Sequence, residues 1–266
     1  MLGELRRLGC TVTLRATAAR GDAEAIARAA DPGTCDLVAV AGGDGTINEV
    51  INGLVDRQLP LALIPLGTAN VLASEIGLRG DERAVARAIA EGIPRQIYLG
   101  QANGRRFAMM LGIGIDARIV EGIDPRLKRV AGKFAYVVSG VLAVLRYRPV
   151  RYRISIDGAS YTGAAAIIAK GRFYGGRFVL ARGARLDMSS LHVVLLERPG
   201  RWNVLRYGLA IALQRIHRLA DVRIIEARAV TIDGPVGELA QADGDLDGTL
   251  PLAIGLAREP LLLIGA

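Results

Sequence analysis

One carboxylate, Asp44, stands among three glycines in the stretch Val38-Ala-Val-Ala-Gly42-Gly43-Asp44-Gly45-Thr46-Ile47-Asn48-Glu49-Val50. Gly42, Gly43 and Gly45 can take backbone angles closed to other residues and bring main-chain N–H groups close to an anion. A helix predicted to start here points its positive end at the same place. Such a turn suits a phosphate chain, and a carboxylate beside a phosphate calls for a bridging metal or for a proton to be moved. A purely structural reading competes: Thr46 and Glu49 have the spacing of a helix capping box, and a strand-to-helix turn uses glycine for its own sake.

A second turn of the same kind follows at Leu61-Ala-Leu-Ile-Pro65-Leu66-Gly67-Thr68-Ala69-Asn70-Val71-Leu72-Ala73. A short apolar strand stops at Pro and Gly, and small polar residues open the next helix. Two parallel strands ending this way put both loops at the carboxyl edge of one sheet, where open α/β folds bind ligands. The two loops are therefore expected to share one.

With both motifs in view, the chain resembles the diacylglycerol kinase catalytic domain family, which includes bacterial lipid kinases and sphingosine and ceramide kinases. GGDGT alone would fit NAD kinases too, whereas PLGTAN points to the lipid branch, although Val71 stands where that branch often has Asp. The resemblance continues in GDA at Gly21 to Ala23, GIGIDA at Gly112 to Ala117, YGG at Tyr174 to Gly176 and Asp243-Gly244-Asp245.

The resemblance implies transfer of the γ-phosphoryl group of ATP to a lipid hydroxyl, with Mg²⁺ screening the phosphates. Such chemistry rests on positioning, charge neutralisation and a carboxylate that accepts the hydroxyl proton. The nucleotide would lie on Thr17, Gly42, Gly43, Asp44, Gly45, Thr46, Asn48, Glu49, Gly67, Thr68 and Asn70. The expected catalytic acids are Asp44, Asp243 and Asp245, with the last two not separable as the base. A D-G pair is also an ordinary hairpin turn, as Asp247-Gly248 illustrates. For structural magnesium the family uses an Asp where this chain has Met188, leaving Asp187, one place early, as the candidate metal ligand.

Composition fits a globular enzyme: of 266 residues, 51% are hydrophobic and 23% charged, enough for two domains. Cys10 and Cys35 offer no disulfide framework, and the amino terminus is not signal-like, so a cytoplasmic protein is expected. The formal charge is +8, yet only three of the 34 basic residues are lysine and aromatics make up 5%, a poor match to nucleic-acid binding. From Arg118 to Arg153 nine basic residues face only Glu121 and Asp124 and flank an apolar run, Phe134 to Leu145, of twelve residues. That run is shorter than the ~20 residues a spanning helix needs. Bracketed by cations, it suits peripheral contact with an anionic membrane at the inner face. A homodimer is left open. His192 and His217 lack an acid–nucleophile pattern and are read as core or surface residues.

Hydropathy alternates strand and helix up to about Gly92: strands at Thr11–Arg15, Leu37–Val40 and Leu61–Ile64, helices at Asp22–Ala30 and from Thr46, Ala69 and Asp81. This predicts a doubly wound parallel sheet, an α/β fold. Beyond Ile97 strands dominate, broken by helices near Leu127–Leu145 and Trp202–Leu219, which predicts a second, mainly antiparallel β domain. The expected division is 1–97 with 251–266 for the nucleotide and 98–250 for the lipid. The resemblance also implies a strand and an Asn-Pro type loop before residue 1; with the first strand apparently missing, an upstream start is expected. Two further readings remain: a soluble-substrate kinase like NAD kinase, and a catalytically impaired lipid-binding relative.

Overall fold

The computed structural model of the chain describes residues 1–78, 81–122, 140, 144 and 148–265. Apart from residues 140 and 144, the apolar run at 134–145 lies outside the described residues, as do most of its flanking cations. The amino-terminal part is α/β and the carboxyl-terminal part an antiparallel β-sandwich.

In the first part, β1 (Val38–Gly42) and β2 (Leu61–Pro65) run parallel, with Val38 opposite Leu61 and Gly42 opposite Pro65. The closing strand Leu261–Ile264 lies parallel on the other side of β2 and antiparallel to β3 (Pro94–Ile97). Because Gly42 and Pro65 share one register, both glycine loops leave the same edge of the sheet. Helix α1 (Leu2–Arg7), α2 (Asp22–Arg28), α3 (Asp44–Gly53), α4 (Val71–Glu75) and α5 (Glu82–Glu91) complete this part. In α3, Ile47, Val50 and Ile51 recur at helical spacing and are buried with Leu54, each worth about 1.5–3 kcal/mol of apolar burial. Asp81 caps α5, accepting from Ala84 N at 3.0 Å.

Thr11–Arg15 is not a strand. A strand needs a neighbour to complete its backbone hydrogen bonds, and the sheet ends at β1, leaving this mostly exposed segment without one among the described residues. The predicted capping box is also absent, because α3 already begins at Asp44 and Thr46 lies inside its first turn. Glu49 instead reaches the start of another helix, accepting from Gly21 N at 2.9 Å and Ala23 N at 3.2 Å.

The sandwich has two six-stranded sheets. One runs, edge to edge, 222–227, 191–196, 165–169, 110–113, 239–242 and 245–249; the other runs 105–107, 100–102, 252–256, 230–233, 152–156 and 159–163. Leu191, Val193 and Leu195 face the opposing sheet, while Val194 and Leu196 join the core shared with the α/β part. Burial on both faces explains why this strand is continuously apolar rather than alternating. His192, in the same strand, is a buried residue whose pKa burial pulls down. The expected division at residue 251 is corrected: Leu252–Leu256 pairs within the sandwich, so the chain crosses back only after it.

Candidate functional site

The two glycine loops touch through their backbones. A Cβ on Gly67 would stand 2.5 Å from Gly43 Cα, so the approach requires glycine. The Asn70 side chain, on a residue at φ 47°, closes its own loop, accepting from Gly67 N at 2.9 Å and donating to Gly67 O at 2.7 Å. Asp44 opens α3 but spends one oxygen on the neighbouring loop, accepting from Val71 N at 2.7 Å. Burial raises its pKa against the pull of these amides, and Asp243 nearby raises it further. Gly67→Ala is expected to push the loops apart and weaken the binding of a shared phosphate ligand about tenfold or more, readable in a binding titration, with folding retained.

Asp243 and Asp245 occupy different environments. Asp243 is held by four donors: Ala108 N at 2.7 Å, Met109 N at 2.8 Å, Met110 N at 3.0 Å and Asn48 Nδ2 at 2.9 Å. Burial raises its pKa while these donors oppose the shift. Both oxygens are occupied, so it ties α3 to the sandwich. Asn52, one turn after Asn48, extends this seam, exchanging hydrogen bonds with Arg106 N and O at 2.9 and 3.0 Å. The i, i+4 spacing of the two asparagines is a sequence signal that would have marked this seam, and it went unread.

The Asp245 carboxylate has no hydrogen-bond or ion-pair partner among the described residues. Its carboxylate lies against Gly45, where a Cβ would come 2.5 Å from Oδ2. It lines a cleft of ≈ 90 Å³ with Arg20, Gly45, Asn48, Glu49 and Arg105. A neighbouring cleft of ≈ 300 Å³ holds Thr17, Thr46 and again Arg20 and Glu49. Thr68 lines neither cleft and is exposed. Arg105 is engaged by Glu24 at 2.8 Å and Asp247 at 3.5 Å. Arg20, which donates at 3.5 Å to Leu246 O, carries no motif that would have marked it in the sequence.

Behind the Asp243 turn lies a network built from short motifs that sequence comparison left separate. Asp116 of GIGIDA is buried, accepts from Tyr174 Oη of YGG, and accepts from Gln241 Nε2 at 2.5 Å. Gln241 in turn accepts from Gly244 N at 2.9 Å. Burial raises the Asp116 pKa against these hydrogen bonds. A Cβ at Gly112 would collide with this carboxylate, which explains that glycine. Asp116, Tyr174 and Gln241 thus brace the turn that presents Asp245.

The candidate metal loop does not fit a metal. Asp187 is exposed and paired with Arg185, at 2.9 Å to Nε and 2.6 Å to Nη2, which lowers its pKa. The inward carbonyls of Arg185 and Met188 accept instead from Lys170 Nζ, at 2.5 and 2.9 Å, and Lys170 is wholly buried. Burial pulls this amine down to about 8, with Asp187 and Glu75 opposing. Among the described residues no group of three or more His, Cys, Asp or Glu is arranged to hold a metal ion. An internal cation therefore occupies this loop, and Asp187 is corrected from metal ligand to surface ion pair. The nucleotide-free protein is expected to melt at the same temperature in EDTA and in excess Mg²⁺. A saturable rise in Tm with Mg²⁺ would refute this.

Residues 2–102 match the model of the diacylglycerol kinase catalytic domain, and residues 109–264 that of the YegS C-terminal NAD kinase beta sandwich-like domain. A diacylglycerol kinase of Bacillus subtilis (strain 168) is 31% identical over 258 residues, covering 94% of this chain and 84% of its own. One from Staphylococcus haemolyticus (strain JCSC1435) is 27% identical, covering 94% and 77%. The crystal structure of a diacylglycerol kinase from Bacillus anthracis str. Sterne superposes with a TM-score of 0.81 at 22% identity, over 100% of this chain and 90% of that one, a likeness of fold. With both halves matched and a relative at this identity over nearly its whole length, the chain belongs to the diacylglycerol kinase catalytic domain family and is a kinase.

Proposed function

We propose that this chain is an ATP-dependent lipid kinase that passes the γ-phosphoryl group to a lipid hydroxyl, with Asp245 as the base. The observation that carries this reading is the partnerless Asp245 carboxylate against Gly45, at the amino-terminal end of α3 and beside two glycine loops in backbone contact. The main-chain N–H groups of these loops and the positive end of α3 cradle phosphate oxygens. Arg20 adds a cation at the junction of the two clefts. Asp245 takes the proton as the lipid oxygen attacks phosphorus, and the Pγ–O bond to ADP breaks in line. Magnesium arriving with ATP would screen the phosphates. Asp44 serves by holding the second loop in place rather than by touching the hydroxyl.

Relatives named diacylglycerol kinase support a lipid hydroxyl as acceptor. Among the described residues no helix is long and apolar enough to cross a membrane, and the proposed place of action is the cytoplasmic face of one. Arg118, counted with the cations expected to meet that membrane, is engaged by Glu121 at 2.9 Å and Glu238 at 3.0 Å and contributes no free charge. A second reading, phosphorylation of NAD or another soluble alcohol, draws on the description of the family matched by residues 109–264. Radiolabelled ATP offered with a mixed lipid extract and with NAD separates the two. Label in a lipid, lost on Asp245→Asn, is the expected result. Label only in NAD favours the second reading, and no label in either leaves a non-catalytic relative.

A further inference from the structure

We infer that helix Arg201–Ala212, remote in sequence from both glycine loops, is an interfacial helix that inserts its outer face into an anionic lipid surface. Trp202, Leu205, Leu209 and Leu213 follow one another at intervals of three and four residues and fall on one side of the helix. All four are exposed: 84%, 47%, 61% and 56%. Single exposed leucines are ordinary on a protein surface, but a continuous stripe headed by tryptophan is not. The inner face is satisfied: Tyr207 and Ala210 are buried, and the Tyr207 hydroxyl donates to Asp221 at 2.6 Å. The helix is thus already anchored on one side and apolar on the other.

Charge identifies the occupant. Between Arg198 and Ala220 there is no Asp or Glu, while there are five arginines. Arg206 and Arg198 turn to Asp221, Arg206 in direct hydrogen bond and Arg198 at 3.8 Å. Arg201 at one end, and Arg215 and Arg218 beyond the other, have no ion-pair partner among the described residues and are exposed. An apolar stripe with tryptophan, cations at both ends and no acid matches the requirements of an anionic headgroup layer over acyl chains. Tryptophan suits that boundary because its ring is apolar and its N–H polar. A second copy of this chain would set the same cations against one another. The surface is independent of which molecule the kinase phosphorylates.

Trp202 is the chain's single tryptophan, so its fluorescence reports this face alone. The full chain is mixed with vesicles of phosphatidylglycerol and phosphatidylcholine, and with phosphatidylcholine alone. On the anionic vesicles, the emission should shift to the blue, iodide quenching should fall, and the protein should sediment with the lipid, progressively less as NaCl rises. Leu205→Asp with Leu209→Asp should weaken sedimentation about tenfold or more while leaving Tm unchanged. The inference is overturned if Trp202 is already shielded from iodide without vesicles, or if the chain is a dimer that Leu209→Asp dissociates. It is equally overturned if vesicle binding is absent or survives the double substitution. Vesicle binding without lipid phosphorylation would sink the proposed function and leave the helix assignment standing.

Discussion

Asp245→Asn lowers kcat for phosphoryl transfer by about 10²–10⁴-fold, the usual contribution of a positioned general base. The KM for ATP should change little, because the loops proposed to hold the phosphates are built from backbone that Asp245 does not support. Melting temperature should also be unchanged: the carboxylate has no partner among the described residues, and Asn has the same shape. The loss would therefore fall on kcat and kcat/KM together, the mark of an interaction made only in the transition state. Steady-state kinetics with the lipid acceptor, alongside a thermal melt, check both halves. A fall in kcat of less than tenfold would remove Asp245 from the role of base.

Asp243→Ala acts through stability instead. It strands three backbone N–H groups and one N–H of the Asn48 amide, which keeps its bond to Arg106 O at 3.1 Å, in the seam between the α/β part and the sandwich. Each buried donor left unpaired costs about 1–3 kcal/mol, with water and local relaxation recovering part of the sum. A net loss of about 4 kcal/mol is expected, which for a chain of this size corresponds to a fall in Tm of about 10 °C. Residual activity below the new Tm should exceed that of Asp245→Asn. The opposite pattern, a wild-type melt with transfer abolished, would exchange the roles of the two aspartates. Asn48→Ala removes one of the four donors and should reproduce a minor part of the destabilisation.

Much of the α/β part was legible because its signals are local. A glycine cluster between an apolar run and a helical period marks a strand–turn–helix wherever it occurs, and β1, α3, β2 and α5 stand close to where the pattern puts them. The runs Tyr152–Ile156 and Leu191–Leu196 coincide with strands because burial on one or both faces imposes their composition. Thr11–Arg15 shows the limit of such reading. Its residues suit a strand, but a strand exists only with a neighbour, and the neighbour is a property of the sheet. Glu49 fails in the same way: its spacing from Thr46 is that of a cap, yet it caps a helix more than twenty residues earlier.

By itself the sequence determined the two glycine turns, the two-part architecture and the family, since these rest on residue types at short spacing. The tertiary structure alone separated Asp243 from Asp245, two residues apart on one tight turn, by enclosing the first in four donors and turning the second toward Gly45. It also put the Lys170 ammonium on the Met188 carbonyl and joined Asp116, Tyr174 and Gln241 behind the turn. Spacing along the chain specifies which groups are available; the packing of strands distant in sequence decides which partners each buried charge meets, and so what remains free to react.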